Sequence, residues 1–236
     1  MTERPLIVID LDNTFVDYTT AFKECLTQMG YDDYADAPDP SDYSFACSGW
    51  STDEDTFFPL HRRAVELGLY LRERPYAGAL DAAYDLARRY SVLFATSREQ
   101  DETDSLRWLH AYGLDATSDW NLDLWRDTYP ETFELTMSRS CRRCGSGIRF
   151  CHIQDKTFLD ADLTIEDNPH TLDRLMDKKM RVLVKRHAYN LPQCERAEQS
   201  GLGFAFDAWT QAPTLAKRLL RKRMTEDQNN IDTLIR

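Results

Sequence analysis

The chain has 236 residues, with 29 Lys and Arg against 40 Asp and Glu and a formal charge of −11. That length holds one large domain, or a core with a smaller insertion. The acidic balance disfavours broad binding to nucleic acid or anionic membrane, so an anionic ligand needs a local cation. No run approaches membrane-spanning length, and no basic stretch precedes an apolar one near Met1, so membrane insertion and secretion are not expected and the cytoplasm is the default.

Pro5 to Asp10 reads as a first, fully buried strand that runs straight into Asp10, Asp12, Asn13 and Thr14. Thr19 to Met29 has helical spacing at Ala21, Phe22, Cys25, Leu26 and Met29, and Gly30 suits its end. From Asp32 to Asp55 the composition is acidic, Pro-bearing and aromatic, poor material for strand or helix. A helix resumes near Asp53 and runs through Phe57, Leu60, Ala64 and Leu67 to Gly68. The insertion between the first strand and about Pro75 exceeds an ordinary βα connection. It predicts a small, mostly helical cap, residues 15–75, over a core built from 1–14 and 76–236.

Ala79 to Tyr90 predicts the next helix, and Ser91 to Ala95 a second buried strand that ends in Thr96, Ser97 and Arg98. A helix follows from near Asp101 to Gly113, with Glu102 and Asp104 in its first turn, where the macrodipole favours acids. Residues 114–148 are less regular, with scattered aromatics before SCRRCGSG, and read as an insertion in the core that could form a small Cys-containing subdomain. Ile148 to Ile153 and Ala161 to Ile165 are strands, the first followed by Lys156 and the second by Glu166 and Asp167. Asn168 and Pro169 fit the N-cap and first position of a helix through Leu172 and Leu175. Met180 to Val184 is one more strand, and Pro213 to Met224 an amphipathic helix whose basic face reads as solvated. Strands alternating with helices predict an α/β fold with a doubly wound, Rossmann-like parallel sheet.

An isolated Asp-x-Asp after a strand is usually a solvated acidic turn. Here four strands deliver polar groups to one edge: Asp10 and Asp12, then Thr96 and Ser97, then Lys156, then Glu166 and Asp167. Converging carboxylates repel unless a cation sits among them. Oxygen ligands without histidine favour a hard ion such as Mg²⁺. The chemistry that needs this set is phosphoryl transfer through an aspartyl-phosphate. Asp10 attacks phosphorus, Asp10 and Asp167 hold Mg²⁺, and Lys156 and Thr96, with Ser97 and Thr14 beside them, cradle the phosphate. Asp12 protonates the leaving alkoxide and then activates water.

These residues resemble the four motifs of the haloacid dehalogenase superfamily: DLDNT, the ATS that ends the second strand, and the Lys and closing Asp of DKTFLDADLTIED. The likeness is greatest to 5'(3')-deoxyribonucleotidases, which share DKT, ADL, the closing Asp, the PxxGALDA lead from Pro75 to Ala82, and an aromatic after the first motif, here Tyr18. It covers roughly residues 5–30, 68–110 and 149–175. Asn13 and Thr14 follow the general superfamily form instead of that family's Gly and apolar pair, and Glu166 replaces a second Asp.

The resemblance implies an Mg²⁺-dependent 5'-nucleotidase on (deoxy)nucleoside monophosphates. It makes Asp10 the nucleophile and Asp12 the acid/base, and places Asp10, the Asp12 backbone carbonyl and Asp167 on the metal, with Glu166 a further candidate. Thr96 and Lys156 then hold phosphate, while Tyr18, with Phe57, Phe58 or Tyr70, faces base and sugar. The alternatives are a phosphatase of another small phosphoester or of a polynucleotide 3'-phosphate, and a non-catalytic binding or regulatory protein on the same fold.

Six dispersed cysteines do not make a disulfide scaffold in a chain of this size. Cys141, Cys144, Cys151 and His152 are a candidate structural Zn²⁺ set. Neighbours on a strand point to opposite faces, so the competing reading places Cys151 and His152 in the core.

Overall fold

The computed structural model describes residues 4–45, 50, 54–98, 102–114 and 148–221. A six-stranded parallel sheet forms its centre. The strands are β1 (Leu6–Ile9), β2 (Ser91–Thr96), β3 (Ile148–His152), β4 (Leu163–Glu166), β5 (Val182–Lys185) and β6 (Gly203–Phe206), in the order β3-β2-β1-β4-β5-β6. Every pairing is parallel; β1 sits between β2, with Ile7 opposite Val92, and β4, with Ile7 opposite Leu163. The expected doubly wound α/β class is therefore the observed one, with β6 as an additional strand.

Period-two alternation divides the strand residues between two packed faces. Ile7, Ile9, Val92, Phe94, Phe150 and Ile165 belong to the larger cluster, with Trp209 and residues of α4 (Ala79–Ala87), α5 (Glu102–Ala111) and the helix over 212–221. Leu6, Val8, Leu93, Ala95 and Cys151 face the other way. Beside them, Val182 and Val184 pack on Leu172 and Leu175 of α6 (Pro169–Asp177) and on α7 (Leu191–Ser200). Burial on both faces explains why these strands read as continuous apolar runs.

Between β1 and α4 lie α1 (Tyr18–Gln28), α2 (Glu54–Glu66) and α3 (Leu69–Arg72), which gather a separate hydrophobic cluster around Phe22, Leu26, Phe45, Trp50 and Leu69. Asp17 caps α1 by accepting from the Thr20 amide at 3.0 Å. The chain enters and leaves this unit side by side: the Tyr76 amide donates to the Phe15 carbonyl at 3.0 Å and the Asp17 amide to the Arg74 carbonyl at 2.9 Å. A two-stranded neck thus joins the unit to the sheet. Among the described residues no helix is long and apolar enough to cross a membrane.

β1 runs outward to β2 and β3, and the chain then returns to β4 on the other side of β1. The strand order reverses there, and the crevice beyond the carboxyl ends of β1 and β4 is where such sheets bind ligands.

Candidate active site

Asp10 leaves the end of β1 with its amide still on the ladder, bonded to the Ile165 carbonyl at 3.0 Å. The loop that follows is tight, because the Leu11 carbonyl accepts from the Thr14, Phe15 and Val16 amides at 3.2, 2.8 and 3.0 Å. Asn13 adopts a left-handed φ of 55°, which Asn tolerates better than most residues. Its side-chain oxygen accepts from the Thr19 amide and hydroxyl at 3.1 Å each, tying the loop to α1.

Lys156 arrives from the β3–β4 connection. Asp155 accepts from the Thr157 amide at 3.0 Å and its hydroxyl at 2.7 Å, which starts a short 3₁₀ turn over Lys156–Leu159. Lys156 Nζ then donates to Asp10 Oδ1 and, at 2.7 Å, to Glu166 Oε2. Glu166 ends β4, and its other oxygen accepts from the Asp167 and Asn168 amides at 3.1 and 3.0 Å. Asp167 accepts from the Thr14 hydroxyl at 2.6 Å and from Tyr189 at 2.5 Å. Asn168 caps α6 as expected, accepting from the His170 amide at 2.9 Å.

Asp10, Glu166 and Asp167 are all buried, and each offers an oxygen within 4.8 Å of the others'. Burial drives the carboxyl of Asp10 up to about 7, helped by the charges of Glu166 and Asp12 and opposed by Lys156. Burial and the Asp10 charge lift Asp167 to about 7 as well, against the pull of Thr14 and Tyr189. Glu166 is raised mainly by burial, and Lys156, despite burial, is raised by Asp10 and Glu166 and stays charged. Three acids around one ammonium leave an excess of negative charge, and their hard oxygen donors fit Mg²⁺. Asp10, Asp167 and Glu166 are the residues that would hold it.

The Asp12 carboxylate stands apart from this group. Arg98 Nε donates to both of its oxygens at 3.1 Å, and Nη2 to Oδ1 at 2.5 Å. Burial alone would raise Asp12, but the Arg98 guanidinium reverses the effect and holds it below the usual carboxylate range. Arg98 also donates to Glu73, which follows α3, and its guanidinium lies 4.1 Å from the Tyr70 ring centre.

Above the acids opens a cavity of about 360 Å³ whose lining includes Asp12, Asp167, Tyr18, Phe57 and Tyr70. Tyr18 meets His61 Nδ1 at 2.8 Å, and Tyr70 meets His61 Nε2 at 3.4 Å. Phe57 stacks on His61 with centroids 5.7 Å apart, and Phe58 is 52% exposed at the rim. All four aromatics expected from the sequence to face a substrate line this cavity.

Several expected ligands are placed differently. Thr14, read from the sequence as a phosphate ligand, is fully buried and directs its hydroxyl to Asp167, so it orients a carboxylate instead of meeting phosphate. Thr96 is buried with its hydroxyl oxygen 3.3 Å from the Arg98 amide, whereas Ser97 is exposed on the cavity lining. In the candidate zinc set, Cys151 packs with Leu6 and Val8, while His152 lies against Phe150 and 3.2 Å from the Arg98 carbonyl. Cys141 and Cys144 lie outside the described residues.

Other contributors escaped the sequence reading. Tyr189 holds Asp167, and His187 Nε2 meets the Asn13 carbonyl at 2.6 Å. Trp209 donates to the Thr14 carbonyl at 2.9 Å. Arg98 has the one sequence signal, its place directly after the strand-end Thr96 and Ser97, which puts it at the same sheet edge as the acids.

No family model matches the chain, and no curated protein does. Solved structures are similar to it. An L-2-haloacid dehalogenase is 13% identical over 89% of this chain and 98% of its own, with a TM-score of 0.50. A haloacid dehalogenase-like hydrolase from Streptococcus pneumoniae is 12% identical over 88% of this chain and 96% of its own, at 0.49. Another, from Xanthomonas campestris, is 16% identical over 94% and 98%, at 0.44. The likeness to the dehalogenase, at a TM-score of 0.50, shows a shared fold, and on that fold this chain presents a buried acidic centre bridged by a lysine.

Proposed function

We propose that the protein is an Mg²⁺-dependent phosphomonoester hydrolase that works through an aspartyl-phosphate on Asp10, with (deoxy)nucleoside 5'-monophosphates as substrates. The observation that carries the reading is the bridging of Asp10 and Glu166 by buried Lys156 at the sheet's switch point, beside Asp167.

In the first step an Asp10 carboxylate oxygen attacks phosphorus and the bond to the leaving oxygen breaks. Asp12, once protonated, supplies the proton that the alkoxide needs. In the second step water attacks the phosphorus of the acyl phosphate, Asp12 takes the water's proton, and Asp10 departs as a carboxylate with release of inorganic phosphate. Lys156 orients Asp10 before attack and places positive charge where the phosphate oxygens arrive. Bound Mg²⁺ supplies charge neutralisation for those oxygens. Uncatalysed hydrolysis of phosphate monoesters is among the slowest reactions known, so electrostatics and positioning must supply most of the on the order of 20 kcal/mol required.

The cavity supports the nucleotide part of the reading. Phe57 and the half-exposed Phe58 on its lining offer aromatic surface, and stacking a base on such a surface is worth about 1–3 kcal/mol. The test is a phosphatase screen with Mg²⁺ across nucleoside monophosphates, sugar phosphates and 3'-phosphorylated oligonucleotides. Release of phosphate from nucleotides above the others is expected; no release from any of them overturns the reading, and a preference for the oligonucleotides replaces its substrate.

A further inference from the structure

Arg98 has a side chain only 1% exposed, yet it comes from the loop after β2 and not from the packed interior of a strand. A buried guanidinium is costly unless its donors are satisfied. Here each nitrogen is engaged: Nε by both Asp12 oxygens, Nη1 by Ser105 Oγ at 2.9 Å, and Nη2 by Asp12 and Glu73. Tyr70 covers one face of the group. Glu73 is fully buried, and its carbonyl accepts from the Trp108 indole at 2.8 Å, which anchors it between the neck and α5. Asp12, in contrast, is 31% exposed and opens into the cavity. The carboxyl is therefore gripped from behind and accessible from the front.

We propose that Arg98, itself fixed by Glu73, is the positioning residue that sets the orientation of the Asp12 carboxyl for proton transfer to and from the substrate. The proposal rests on the phosphatase reading above. Arg98 does not serve as the phosphate clamp, because its nitrogens are already committed to protein partners, whereas Lys156 stands beside Asp10. A planar fork also fixes a carboxylate in a way that an ammonium cannot, so lysine at this position keeps the charge and loses the orientation. Glu73 and Tyr70 both belong to the segment that returns from the cap, and Tyr70 reaches His61, which reaches Tyr18. The acid/base is in this way linked by contact to the wall of the substrate cavity.

The test compares kcat/KM for p-nitrophenyl phosphate, whose leaving group departs without a proton, and for the best alkyl phosphate among nucleoside monophosphates and sugar phosphates. Wild type, Arg98→Lys and Glu73→Gln are measured, with thermal unfolding to establish that each is folded. For Arg98→Lys the alkyl substrate is expected to lose about 10²–10⁴-fold and the aryl substrate at least about tenfold less than that, the pattern of a disabled general acid. Glu73→Gln shows the same split with a smaller amplitude, and carries the test should Arg98→Lys fail to fold. Equal losses on both substrates in a folded variant, or no loss on the alkyl ester, overturn the positioning role and leave the phosphatase reading standing. A wild-type protein that cleaves neither ester removes both.

Discussion

The floor of the site and its walls are built from different material. On the floor, Asp10, Lys156, Glu166 and Asp167 are all buried and sit at or beyond strand ends, with Lys156 joining Asp10 to Glu166 by charged hydrogen bonds. The walls come from α1 to α3 and their loops, are aromatic, and touch largely through rings, as in the stack of Phe45 on Phe57 at 5.4 Å. Charge that is fixed by a sheet can stabilise a reaction common to many substrates, while an apolar wall on a separate cluster can change its shape without disturbing that charge. On the proposed phosphatase function, the contrast puts turnover on the floor and selectivity on the walls.

The severest challenge to that division is Asp10→Asn, which should cut turnover by about 10⁴-fold or more on every ester tested. A variant that keeps its rate removes the nucleophile from the floor. Next is Lys156→Met, which strands two buried acids and should lower unfolding free energy by about 3–5 kcal/mol in metal-free urea titrations near neutral pH. Unchanged stability would mean that the lysine does not compensate those acids.

The acids also make a pH prediction. Asp10 and Asp167 have folded-state values near 7, above their ordinary 3.8, so their contribution is full at acid pH and is lost as pH rises through about 7. Mg²⁺ should therefore raise the Tm most above pH 7, by about 5–10 °C at roughly a hundredfold excess over Kd, and little near pH 4. Calorimetry at the two pH values checks this; equal shifts would place the ion elsewhere.

The smallest effect belongs to the walls. Phe57→Leu should raise KM for a nucleoside monophosphate by about tenfold through lost stacking, and leave ribose 5-phosphate unchanged. An equal effect on both would make Phe57 a packing residue of the cap alone.

What could be read from the sequence follows the same contrast. β1 to β5 are legible because burial on both faces leaves mostly apolar runs, broken only by residues such as Arg149 and Thr164. β6 is not, since it has four residues, Phe204 and Ala205 are only half-buried, and it begins with Gly203, ordinarily a strand breaker. The structure explains that glycine: a Cβ there would lie 2.2 Å from the Val182 carbonyl oxygen. On the floor, Asp10 and Asp167 are visible because each directly follows a recognisable strand, and Lys156 because it lies four residues past another. Glu73, Tyr189 and Trp209 are not, because their partners are brought near only by the neck and by the late β-strands. Thr14 is visible too, but its sequence position places it in the loop without saying that its hydroxyl turns to Asp167.

The bond from Trp209 to the Thr14 carbonyl has a consequence for biosynthesis. The loop that carries Asp12 is synthesised almost two hundred residues before the indole that braces it. A growing polypeptide on the ribosome holds its Asp-x-Asp segment without that brace until Trp209 has cleared the exit tunnel. A polypeptide ending between β5 and β6 would contain Asp10, Asp12, Glu166 and Asp167 yet leave their loop unbraced, so protection of the Asp-x-Asp loop should appear late and abruptly as nascent chains are lengthened.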